Sequence, residues 1–253
     1  MKRFIILISI IFCLVFVSKA SDTETLNYVV TYKWGIIQKD AGDVEITRKN
    51  KGNGYELRLQ AKTKPWADRI YKVRDTLVSV TEKAKYKPLT YTYIAHEKNR
   101  YKRDDIKYEY SGNKVKGYAE RFRERKNGEI EEKSVELEGN LPVYDMLSVY
   151  FFLRDIDYSK LKEGETVKTT IFSGDKVESL EVWCKGKEMI KLRDKSEHEA
   201  WHILFKFTSK GGKKSSDDIN CWISTDSNHI PLLIIGNLPI GEVRVHYEAH
   251  PKG

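Results

Sequence analysis

Apolar and polar residues alternate with a period of two along most of this chain. Leu26, Tyr28, Val30, Tyr32 and Trp34 face polar or smaller partners, the pattern of a strand with one buried side. The same period predicts strands at 43–48, 55–63, 76–83, 89–97, 105–111, 116–125 and 130–137. It returns at 165–172, 177–184, 188–192, 201–208, 219–224, 230–235 and 242–248. Gly52-Asn53-Gly54, Gly112-Asn113 and Asn127-Gly128 are hairpin turns by composition, because Gly and Asn tolerate positive φ. Strands joined by such short turns pair antiparallel.

One segment departs from this period. Across 143–154 the apolar residues Met146, Leu147, Tyr150, Phe151 and Leu153 fall at helical spacing, with a girth too wide for a surface helix. Pro142 presets φ near its start, and Asp145 places negative charge in the first turn. Arg154 at the far end favours the negative pole of the helix and is placed to pair with a carboxylate on the sheet. The expected fold is therefore mainly β: a large curled antiparallel sheet, half-barrel or two-layer sandwich, with one buried helix near 143–154.

The first twenty residues obey a different rule. Lys2 and Arg3 precede an unbroken apolar run from Phe4 to Val17, followed by Ser18-Lys19-Ala20 with its small residues, the order of a cleavable secretory signal. Cleavage is expected near Ala20, leaving a single exported β-rich domain over 21–253, periplasmic or secreted. The run is shorter than the roughly 20 residues a membrane-crossing helix needs, and no second one approaches that length. Cys13 follows Ile-Ile-Phe rather than a small residue, so no lipid anchor is expected. Loss of Lys2, Arg3 and Lys19, with no acid, lowers the formal net charge from +8 to +5. A mildly basic exported chain of densely mixed charge does not point to nucleic acid.

Cys184 and Cys221 remain, in an export route that permits disulfides. Alternation places them on the faces of Val182 and Ile223, so both thiols are expected to point inward. A bridge between them and a pair of unpaired buried thiols both fit the sequence.

The sharpest chemical motif is His198-Glu199-Ala200-Trp201-His202. On a helix both imidazoles would share a face and bind zinc while Glu199 activates water. The alternation of Trp201, Ile203, Phe205 and Phe207 with their polar neighbours favours a strand. There the two histidines stand about 13 Å apart, too far for one ion. His96, His229, His246 and His250 show no ligand spacing, and no serine sits in a nucleophile elbow. Between 86 and 122, tyrosines including Tyr101 and Tyr108 alternate with Lys and Arg. Such a face suits stacking on envelope glycans, although the solvated side of a half-buried sheet has the same composition.

Several segments together resemble the domain-of-unknown-function 3108 family of exported bacterial proteins. They are Trp34-Gly35 with Ala41-Gly42, Asp145-Met146-Leu147-Ser148-Val149-Tyr150 through Leu153-Arg154, Gly186-Lys187-Glu188, and Trp222-Ile223-Ser224-Thr225-Asp226 with Ile230-Pro231-Leu232. The resemblance runs from about residue 27 to 248. It implies a predominantly β envelope protein and carries no catalytic residues across.

The reading that follows is a non-catalytic binding or carrier protein for a lipid-like envelope ligand, without cofactor or metal. Tyr150, Phe151, Phe152, Arg154, Trp34 and Trp222 are the expected ligand contacts. Asp145, Gly186, Glu188, Asp226 and Pro231 are expected to hold structural motifs, with Asp226 capping a turn through backbone groups. An envelope polysaccharide- or protein-interaction factor is the second reading. A zinc-dependent hydrolase on His198 and His202 is the third.

Overall fold

A computed structural model describes residues 22–98, 100–162, 164–209, 218–238 and 241–249. The expected export signal, Cys13 and the cleavage position after Ala20 lie outside the described residues, as does His250. Eight strands come first, each antiparallel to the next: β1 (Thr23–Trp34), β2 (Ile37–Lys51), β3 (Gly54–Thr63), β4 (Val73–Glu82), β5 (Pro88–Glu97), β6 (Arg100–Ser111), β7 (Lys114–Glu124) and β8 (Ile130–Asn140). A short β9 (Val143–Asp145) leads into a helix, and then come β10 (Thr166–Ser173), β11 (Lys176–Lys191), β12 (Glu197–Ser209), β13 (Ile219–Ser224), β14 (Pro231–Asn237) and β15 (Glu242–Glu248). Two α-helices interrupt them: α1 (Pro65–Tyr71) and α2 (Ser148–Asp155).

All the strands belong to one sheet in the order β8-β7-β6-β5-β4-β3-β2-β1-β15-β14-β13-β12-β11-β10-β9. Pairing of β1 with β15, Tyr28 opposite Tyr247, puts the two ends of the ladder in the middle of the sheet. Hairpins then run outward in both directions, and each pair is antiparallel except β9 with β10, which the helical crossover makes parallel. The sheet curls until its far ends meet, giving a nearly closed barrel. At the meeting, the Phe172 ring of β10 lies over Gly117 and Gly139; a Cβ at 117 would clash with the ring and one at 139 would press on it.

Alternation buries one side of the sheet. Leu26, Tyr28, Ile46, Leu57, Ile106, Val115 and Leu137 form one core with Phe172, and Leu180, Val182, Ile203, Phe205 and Ile223 form another. Helix α2 lies between them: Phe151, with Leu147 just before the helix, enters the first core, and Val149 and Leu153 the second. At roughly 25 cal/mol per Å² of apolar surface, a helix buried on opposite faces contributes several kcal/mol to holding the two halves together.

Three departures from the expected elements have physical causes. The helix expected from 143 starts at Ser148, because Val143–Asp145 pairs with β10, Tyr144 opposite Ile171. Asp145 then serves as the stop between strand and helix. Its Oδ1 accepts the N–H groups of Leu147 (2.8 Å) and Ser148 (2.7 Å), while Ser148 Oγ accepts the Asp145 N–H at 2.9 Å. Second, the strands expected at 177–184 and 188–192 are one, β11, bent by a bulge between Cys184 and Gly186, where Gly186 has φ +106°. Third, α1 was not expected. Seven residues carry too little periodicity to register, although Pro65 at its first turn is a helix-start signal.

Candidate functional site

The interior beside Phe151 is filled rather than open. The Phe151 ring packs 5.2 Å from Tyr86 and 5.1 Å from Tyr150, with Arg154 5.5 Å from its centre. Tyr150 shares a 2.5 Å hydrogen bond with Tyr28, and burial raises the pKa of both hydroxyls. Phe152 stacks on Tyr144 at 4.6 Å. Arg154 donates to both Glu24 carboxylate oxygens and to the Asn228 carbonyl. These four side chains therefore spend their surface on the fold's own residues.

The two tryptophans expected beside them lie elsewhere. Trp34 ends β1 and is exposed at the β1–β2 turn. Trp222 lies on β13, stacked on His202 at 4.6 Å, its indole donating to Glu188. The six residues expected to contact a ligand thus occupy three separate places.

Strand β12 carries the H-E-x-x-H segment. His198 hydrogen-bonds Ser196 at 2.9 Å and His202 hydrogen-bonds Asn220 at 2.9 Å, while Glu199 pairs with Lys187. Four residues along a strand span about 13 Å, so the two imidazoles cannot reach one ion. Among the described residues, no group of three His, Cys, Asp or Glu side chains is placed to hold a metal.

The remaining motif residues shape turns. Asp226 Oδ1 accepts from the Asn228 N–H and from Ser224 Oγ, each at 2.9 Å. Pro231 opens β14 opposite Ile223 at a bulge. Cys184 and Cys221 are buried and unbridged. The bridge fails on register, since both cysteines pair with Ile203 from opposite sides, leaving β12 between them.

The tyrosines between 86 and 122 are mostly inside. Tyr91 and Tyr108 are buried, and Tyr108 stacks on Phe172 at 5.6 Å. Tyr101 packs against His96 and Phe122, and Tyr118 is exposed. The outer face of β5–β7 is therefore poorer in exposed tyrosine than its composition suggests.

Open space lies where the ends of the sheet meet. A cavity of about 930 Å³ runs between Val135–Glu138 of β8 and Thr170, Val177–Ser179 and Thr208–Ser209 of β10–β12. Val135, Leu137 and Val177 give it aliphatic walls, while Glu136, Glu138, Lys176 and Glu178 lie along it. Sequence reasoning missed this slot: β8 reads as an ordinary alternating strand, and nothing local says that its edge faces β11. A second cavity of about 860 Å³ is lined by β1–β5 and Arg193. Many of its charges are neutralised internally, as in Arg193 with Asp40 and Glu248, Lys64 with Asp43, and Arg74 with Asp68. No residue of α2 lines either cavity.

The family model described as "Protein of unknown function (DUF3108)" matches residues 27–248. The chain belongs to the DUF3108 family. Comparison of this DUF3108 chain with curated proteins found no match. Among solved structures it is similar to a beta-barrel-like protein of domain of unknown function DUF1849 from Brucella abortus. The two are 14% identical with a TM-score of 0.57, over 88% of this chain and 95% of that one. At that identity the similarity shows the barrel-like fold of the DUF3108 chain and nothing further.

Proposed function

We propose that this DUF3108 protein is an exported, non-catalytic binding protein that holds a lipid-like ligand in the slot between β8 and β10–β12. The observation that carries this reading is the slot itself. A space of about 930 Å³ has the size of a small-molecule site, aliphatic side chains on facing walls and charges to orient a polar head. An acyl chain would cover the aliphatic stripe of Val135, Leu137 and Val177 with no need for directional partners. The signal-like first twenty residues support export, hence an envelope setting in which such ligands are abundant. The inability of His198 and His202 to share an ion favours binding over metal-assisted hydrolysis.

The test is titration with a fluorescent long-chain fatty-acid probe. Delipidated protein should bind it, and native mass spectrometry of gently purified protein should show an added lipid mass. Val177→Trp fills the slot and should weaken probe binding by about tenfold or more. Phe151→Leu, deep in the core, should leave binding unchanged. A wild-type protein that takes no acyl probe, or equal binding by Val177→Trp, would reject the slot as a lipid site.

A further inference from the structure

The β1–β2 turn presents apolar side chains that the fold does not use. Trp34 is 59% exposed, Ile37 57%, and Ile36 fully so, on either side of Gly35 with φ +57°. A β-branched residue at the tip of a two-residue hairpin gains nothing from turn geometry, where Asn or Gly is preferred. Water contact by three large apolar groups in four residues is unfavourable for the isolated chain, which marks the tip as a contact surface.

The neighbouring elements extend this surface. Leu238 is exposed in the β14–β15 turn, and the backbone of Gly241 in that turn lies against the Lys33 carbonyl, so the two tips stand side by side. Helix α1 follows β3 at the same end of the sheet and exposes Ile70 and Tyr71. Trp66 of α1 donates to the Asp40 carbonyl, which anchors the helix beside the base of the β1–β2 hairpin.

Charge selects the occupant. Lys33, Lys39 and Lys72 flank these groups; Lys39 Nζ lies 4.5 Å from the centre of the Trp66 ring, a contact that leaves its charge unneutralised. The nearby acids are already engaged: Asp40 with Arg193, Asp43 with Lys64, Asp68 with Arg74, and Glu242 with Arg244. The end of the barrel is therefore apolar at its tips, aromatic at Trp34 and Tyr71, and cationic around them. Tryptophan and tyrosine favour the bilayer interface, and each lysine near an anionic headgroup surface adds to attachment. A protein partner would need matching acids at fixed places; an anionic bilayer meets the same requirement everywhere on its surface.

We infer that the β1–β2 tip, flanked by α1, seats on an anionic lipid bilayer, with Trp34, Ile36 and Ile37 entering the headgroup layer. The seating proposed is at the bilayer surface; no helix among the described residues is long and apolar enough to cross a membrane. This attachment is independent of whether the slot holds a lipid.

Vesicle co-sedimentation tests it, with protein purified as its cells process it. Binding is expected to phosphatidylglycerol–phosphatidylcholine vesicles, about tenfold weaker to phosphatidylcholine alone, and to fall as salt rises. Ile36→Ser with Ile37→Ser should reduce binding about tenfold at an unchanged urea midpoint. Lys33→Gln with Lys39→Gln should flatten the salt dependence. Brominated lipid should quench tryptophan emission in the wild type and much less in Trp34→Ser. Absence of wild-type binding, or equal binding by the isoleucine variant, overturns the inference. Concentration-dependent dimerisation lost in that variant, without vesicle binding, would assign the tip to a second copy instead.

Discussion

Arg154 on α2 and Glu24 on β1 meet as a bidentate pair, Nη1 3.0 Å from Oε2 and Nη2 2.8 Å from Oε1. Burial opposes both charges. For Glu24 the Arg154 hydrogen bonds and charge, with Arg48 behind them, more than offset it, so its carboxyl is held below the usual range. The same guanidinium donates to the Asn228 carbonyl, and the Arg154 carbonyl bonds His229 Nδ1 at 2.7 Å. One residue thus ties the central helix to the first strand and to the β13–β14 turn.

Truncating that residue leaves a turn carbonyl without a partner and Glu24 with Arg48 alone, whose Nε lies 3.4 Å from Oε2. Arg154→Met is expected to lower stability by about 3 kcal/mol, read from urea unfolding at neutral pH. Glu24→Gln with Arg154→Met should cost less than the two single changes added, because both remove one interaction. Strict additivity would show that the pair contributes no coupling.

The period-two pattern was enough to place nearly every strand, because each has one buried face and alternation records that face directly. It also located the helix, whose apolar girth has no strand explanation. What it could not record is the long-range geometry. Phe172 over Gly117 brings β10 to β7 across fifty-five residues of chain, and no local pattern of either segment announces the other. The slot between β8 and β11 depends on that meeting, so it was hidden too. Arg154 was legible as a cation needing a carboxylate, but Glu24 lies 130 positions away, and only the folded register joins them.

His246 supplies a pH dependence. Its ring is buried and bonded to Thr31 Oγ1 at 3.2 Å, and burial, with Arg193 and Arg244 nearby, lowers its pKa to about 4 against the partial opposition of Asp40. The unfolded chain takes up this proton near pH 6.5, before the folded one does. Its contribution is thus complete above about 6.5 and is lost as pH falls from there to about 4, by roughly 3 kcal/mol. His246→Gln should remove that part of the acid loss in urea midpoints measured between those limits. An unchanged slope would mean that His246 does not titrate differently in the two states.

The thiols should stay unbridged even in an oxidising compartment. Cys184 and Cys221 both pair with Ile203, so two strand spacings separate them by about 10 Å, beyond the roughly 7 Å a disulfide allows. Burial also raises the Cys221 pKa well above its ordinary value, which disfavours the reactive thiolate. Thiol titration in guanidinium of protein comprising residues 21–253 should find both free, with slow reaction under native conditions. Identical mobility on reducing and non-reducing gels is the companion result. A titre below two per 21–253 chain would contradict the register.

Closure of the barrel depends on Gly117 as much as on Phe172. A Cβ at position 117 would lie 2.7 Å from Phe172 Cδ2 and 2.9 Å from Cε2, and one at Gly139 would lie 3.1 Å from Cε1. The ring cannot retreat easily, because it is fully buried and stacked on Tyr108 at 5.6 Å and 10°. Gly117→Ala should therefore lower stability by about 1–3 kcal/mol through overpacking. Phe172→Leu alone also destabilises, by removing buried ring surface. Combined, the smaller side chain makes room for the methyl group, so the double change should cost less than the sum by about 0.5 kcal/mol or more. Additive losses in urea unfolding would place the Gly117 effect in the backbone of β7 rather than in its meeting with β10.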